Sequence, residues 1–161
     1  MKQNSLNSGF VMGLFLFFIF TGAMFMVLVF GAGAYNDIRN ELESQYNERT
    51  CVSYICAKLR HYDSEGAVSI GENKGIETIM LAEEENGAEY ITYIYYYEGY
   101  MRELYCEKSV EFDPDAGFSV IPAEGLSVKM AGDALIKIEC KSGGRTAKAY
   151  VALYSEKEAF A

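Results

Sequence analysis

No Asp, Glu, Lys, Arg or His occurs between Lys2 and Asp37. Within that gap Phe10 to Tyr35 is apolar throughout, with Thr21 as the only conventionally polar residue before the terminal Tyr. A helix that spans a bilayer needs roughly 20 such residues, so residues 10–35 predict a transmembrane helix. The helical period continues past it. Tyr35, Ile38, Leu42 and Tyr46 recur every three or four residues and form one narrow apolar stripe. From Cys51 the pattern broadens, and Cys51, Val52, Tyr54, Ile55, Cys56, Ala57 and Leu59 cover most of the circumference. A helix that is apolar all round is a buried one. The segment near 50–60 is therefore expected to lie within a folded domain, and 36–49 to be exposed or to meet a partner. Lys58, Arg60 and His61 suit the negative end of a helix dipole, and Gly66 supplies a stop. One helix from about Phe10 to Asp63 would be roughly 80 Å long at 1.5 Å per residue.

After Gly66 the period changes to two. Ala67–Ile70, Ile76–Leu81, Glu89–Tyr97, Tyr100–Glu107, Phe118–Ile121, Leu126–Met130, Leu135–Cys140 and Ala147–Tyr154 read as strands or strand candidates. Asn86-Gly87, Glu98-Gly99, Gly132-Asp133 and Gly143-Gly144 read as the turns that reverse them. A long helix followed by hairpins predicts an α+β fold with an antiparallel sheet of about seven strands. The expected organisation is a leader or cytoplasmic segment at 1–9, a transmembrane helix at 10–35, an amphipathic extension at 36–64 and a β domain at 65–161.

Charge adds an orientation. Lys2 precedes the apolar run, whereas Asp37, Arg39, Glu41 and Glu43 follow it. The positive-inside tendency favours a cytoplasmic N-terminus and an extracytoplasmic C-terminal domain at the cell membrane. Ala32-Gly33-Ala34 has the form of a signal-peptidase site, but the apolar run far exceeds a usual signal h-region of about 7–15 residues. The net charge of −9 lies almost wholly beyond the span. It offers no basic patch of the kind that nucleic-acid binding requires.

Few residues suggest chemistry. His61 is the only histidine and sits where a helix-end cation belongs. Cys51 and Cys56 diverge by about 140° on a helix, which is poor geometry for a bond between them. Cys106 with Cys140 between strands is one disulfide candidate, and a helix cysteine pinned to the sheet is another. Four reduced, buried thiols are the third option. Successive cysteine spacings of 5, 50 and 34 do not resemble a four-thiolate zinc site. Asp113-Pro114-Asp115-Ala116-Gly117 echoes the start of a calcium loop without its later ligands, and reads as an acidic turn. Glu83-Glu84-Glu85 reads as a solvated hairpin tip. Tyr90, Tyr93, Tyr95, Tyr96, Tyr97, Tyr100 and Tyr105 crowd one hairpin, as cross-strand pairs or as an exposed binding face. Gly9-x-x-x-Gly13 has the spacing that lets membrane helices approach. No catalytic, metal or cofactor constellation emerges, so a non-enzymatic protein is expected.

The membrane helix running into an amphipathic helix and then an antiparallel sheet resembles the type IV pilin and pseudopilin plan. Ser8-Gly9-Phe10 directly before the apolar run is similar to a prepilin processing site. That resemblance implies cleavage between Gly9 and Phe10. Residues 90–102, YITYIYYYEGYMR, resemble a strand–turn–strand stretch of J-type minor pseudopilins and their competence-pilus relatives. The layout is also similar to an uncharacterised family of single-pass Gram-positive bacterial proteins. Pilins usually carry Glu at the fifth mature position, where this chain has Leu14. The resemblance therefore implies a minor rather than a major subunit. Leu14, Tyr35, Ile38, Leu42 and Tyr46 would form its helix-packing stripe, and its partners would be the lipid bilayer and other pilin-like subunits or membrane assembly proteins. The alternative is a permanently anchored extracytoplasmic binding or accessory domain outside any filament.

Overall fold

A computed structural model describes residues 8–64 and 66–154; Lys2 and most of the segment expected to be a leader or cytoplasmic stretch lie outside them. One helix, α1 (Ser8–His61), is followed by eight strands: β1 (Val68–Asn73), β2 (Ile76–Glu85), β3 (Ala88–Tyr97), β4 (Tyr100–Glu107), β5 (Phe118–Pro122), β6 (Gly125–Gly132), β7 (Leu135–Ser142) and β8 (Arg145–Ala152). The chain divides into two compact units, Met1–Glu41 and Leu42–Ala161. In the first, α1 is exposed at every residue from Gly9 onward. It is the one helix among the described residues long and apolar enough to span a membrane, which supports a membrane anchor near the N-terminus.

The second unit is α+β. Its strands are all antiparallel, but they form two sheets rather than one, ordered β1-β2-β3-β4-β5 and β6-β7-β8. The change of sheet takes two residues. Ala123 N–H donates to Gly99 O at 2.9 Å on the larger sheet, and Glu124 N–H donates to Lys141 O at 2.7 Å on the smaller. Pro122, which lacks an N–H, closes the edge strand just before this step. Tight turns at Lys74-Gly75, Asn86-Gly87 and Glu98-Gly99 place two consecutive residues at positive φ, the conformation whose twist matches antiparallel strands.

The core joins one face of each sheet to α1. Cys51, Val52, Ile55 and Leu59 of the helix meet Ile79, Leu81, Ile94 and Met101 of the larger sheet and Val128, Ile136, Ile138, Cys140 and Val151 of the smaller. Ile55 and Leu59 are fully buried, each contributing on the order of 1.5–3 kcal/mol of hydrophobic stabilisation. The helix is not buried all round, as its composition suggests. Arg49, Ser53, Ala57 and Arg60 form a solvent face opposite that core, and Tyr54 and Cys56 are half-buried. Burial also begins earlier than expected, since Ser44, Gln45 and Asn47 are partly covered and Glu48 is buried.

The other face of the larger sheet has its own small core. Tyr93 and Tyr95 pack on Phe112 with ring centroids 5.0 Å away in each case. The β4–β5 loop that carries Phe112 thereby covers this face.

Candidate functional site

Three places in the second unit concentrate polar or reactive side chains. At the C-terminal end of α1 a surface cavity of about 450 Å³ is lined by His61, Tyr62, Ser64, Glu83, Glu89 and Tyr90, among others. The His61 and Tyr62 rings meet edge to face at 5.3 Å, and Tyr90 stacks on Tyr105 at 5.2 Å. Burial pushes the Tyr62 hydroxyl pKa up. Lys108 on the rim is bridged to Glu89 at 2.7 Å. Among the described residues, no group of three or more His, Cys, Asp or Glu is placed to hold a metal ion.

A polar clamp joins α1 to the larger sheet. Tyr54 donates its hydroxyl to Glu103 Oε2, while Lys58 Nζ donates to Glu103 Oε1 at 2.8 Å. Glu103 comes from the core-facing side of β4, in register with Ile94. Burial and the neighbouring carboxylate raise the Tyr54 pKa, and the same carboxylate outweighs desolvation to raise that of Lys58. This cluster escapes sequence reading, because Glu103 lies 45 or more positions from both of its helix partners.

The four cysteines fall in different surroundings. Cys106 faces the Tyr93–Phe112 core on the larger sheet, whereas Cys140 lies in the main core of the smaller sheet. Cys51 of α1 is buried in that same core, and the neighbouring Cys140 pushes its thiol pKa up. All four cysteines are free thiols in this structure.

The tyrosine hairpin divides by face. Tyr93 and Tyr95 are buried, Tyr96 joins the main core, and Tyr97 carries the Arg102 guanidinium 5.1 Å from its ring centroid. Tyr100 and Tyr105 remain exposed. The Asp113–Gly117 loop is committed to the fold. Its Pro114 carbonyl accepts from Tyr95 at 2.9 Å and from Arg102 at 3.3 Å, and Asp113 Oδ1 accepts from Asp115 N–H at 3.1 Å. Gly9 and Phe10 lie in the first turns of α1, and Phe10, Leu14, Tyr35, Ile38, Leu42 and Tyr46 are all exposed.

Residues 46–143 match the family described as Domain of unknown function (DUF4860), over more than half of the chain. The chain belongs to that family. The DUF4860 match takes in the docked part of α1 and seven of the eight strands, and leaves out residues 10–35. No curated protein and no solved structure matches this DUF4860 chain.

Proposed function

We propose that the chain is a non-catalytic, membrane-tethered subunit that packs beside other helix-bearing subunits, in the manner of a minor pilin or pseudopilin of a bacterial pilus or secretion assembly. One observation carries the reading. Past the apolar span, Tyr35, Ile38, Leu42 and Tyr46 remain 60–68 % exposed. Large apolar side chains repeated on one helical face need a cover. On the face that bears Leu42 and Tyr46, the next exposed residues toward the domain are Arg49, Ser53 and Ala57, which suit water. The apolar stripe therefore ends where the helix joins its own β domain. A neighbouring helix is the natural cover for what precedes it.

A second reading has its own observation. Leu14 stands where a filament-forming pilin carries glutamate, which favours a permanent anchor bearing an extracytoplasmic binding or accessory domain. N-terminal sequencing of membrane-extracted protein, joined with cross-linking through I38C, separates the two. The subunit reading expects a mature end at Phe10 and partner-dependent cross-links. An uncleaved leader without cross-links rejects it in favour of the anchored domain.

A further inference from the structure

We propose that Cys51 and Cys140 are the two halves of a disulfide that ties α1 to the smaller sheet.

The geometry starts at the β7–β8 turn. The space that a Cβ would fill at Gly143 is occupied by the Ser44 side chain, so the turn sits directly on α1. From Ser44 to Cys51 is two helical turns, about 10 Å along the axis. From Gly143 back to Cys140 is three residues of strand, again about 10 Å. The two routes from one contact reach the same level, with both cysteines on the inward faces. Ser44, Glu48, Cys51 and Ile55 follow one another at helical spacing on the docked side. Ile136, Ile138 and Cys140 alternate on the buried side of β7.

Both residues are 0 % exposed and belong to one core. Across its own sheet Cys140 is in register with Leu126 and Ala147, so its sulfur partner comes from the helix. The neighbouring Cys140 side chain and burial push the Cys51 thiol pKa up, as two adjacent thiols in a closed core do. The Cys51 S–H donates to Met101 Sδ, 3.4 Å away. The pairing is selective. Cys56 lies about 140° round the helix from Cys51, and Cys106 belongs to the other core.

The bond forms by thiol–disulfide exchange with an external disulfide, either a small molecule or a disulfide oxidoreductase. One cysteine thiolate attacks it, giving a mixed disulfide and releasing one thiolate. The second cysteine thiolate attacks the sulfur of the first and releases the other. The two cysteines lose two protons and two electrons, and the external disulfide becomes two thiols. Because both sulfurs are closed off in the folded domain, the exchange precedes the seating of α1 on β7. The inference is independent of whether α1 packs against other subunits.

The test is disulfide mapping of the full chain extracted from membranes, with free thiols alkylated at lysis. Cys51 and Cys56 share one tryptic peptide, Thr50–Lys58, so the mapping uses Cys56→Ser. A second sample is reduced, unfolded and refolded in detergent with a mixture of reduced and oxidised glutathione. The expected result, in either sample, is a linked peptide joining Cys51 to Cys140, with Cys106 alkylated. Reduction should abolish the linked species, and it should be missing in Cys140→Ala. A fully alkylated chain in both samples, or a bond that uses Cys106, overturns the proposal.

Discussion

The Tyr95 hydroxyl fills the space that a side chain would need at Gly117. Tyr95 is fully buried in β3, and its hydroxyl donates to the carbonyl of Pro114 at 2.9 Å. The loop that resembles the beginning of a calcium site is thus a cover seated on a tyrosine. Gly117→Ala should force the loop from the sheet and cost about 1–3 kcal/mol, the usual range for overpacking. Tyr95→Phe should cost less, about 1 kcal/mol, because Arg102 still donates to the same carbonyl. Urea unfolding of the detergent-solubilised chain, followed by circular dichroism, checks the order of the two variants.

Glu103 receives two polar side chains from α1, those of Tyr54 and Lys58. Tyr54→Phe removes one donor and should cost about 1–2 kcal/mol, toward the range for bonds to a charged group. Glu103→Ala should cost more, since it leaves the Tyr54 hydroxyl and the Lys58 ammonium without their acceptor. The partial exposure of the pair, 28 % for Lys58 and 18 % for Glu103, keeps the loss below that of a sealed ion pair. Equal midpoints for the two variants would show that the Lys58 bridge contributes nothing.

On the smaller sheet Glu139 lies between Lys148 at 2.7 Å and Lys137 at 3.0 Å. Hydrogen bonds to these ammonium groups lower its pKa from 4.5 to about 2. A carboxylate whose folded pKa is depressed stabilises fully above its unfolded value, and the contribution disappears as pH falls through the folded one. The bridge should therefore hold above about pH 5 and be lost between there and about pH 2. Glu139→Gln should flatten that part of the stability–pH curve. Thermal unfolding across the interval, for the chain and for the variant, measures the difference.

The exposed stripe gives a prediction of the opposite kind. Leu42→Glu and Tyr46→Glu alter side chains that are 60 % and 68 % exposed. The stability of the β domain should stay within about 0.5 kcal/mol of the parent. Cross-linking through I38C should nevertheless be lost. Retained cross-links in both variants would remove the stripe from any packing interface.

The hairpins were legible because their signals are local. Asn86-Gly87 and Glu98-Gly99 carry the positive φ values that such turns demand, and strands rich in Tyr and Ile flank them. The division into two sheets was not legible, because it rests on two backbone bonds from Ala123 and Glu124 to strands far away in the chain. The docked face of α1 was half legible. Its apolar residues are present in the composition, yet nothing local shows that Ser53 and Ala57 face water while Glu48 is covered.

The uncharged run from Phe10 to Tyr35 and the period-two segments after Gly66 determined a membrane-length helix and an antiparallel domain. Both depend on neighbours a few positions apart, through helical or strand period and turn chemistry. The placing of Cys51 and Cys140 in one core, the clamp at Glu103 and the loop seated on Tyr95 were decided only by tertiary structure. Each joins elements separated by long stretches of chain, and the packing of α1, two sheets and a loop selects which side chains meet.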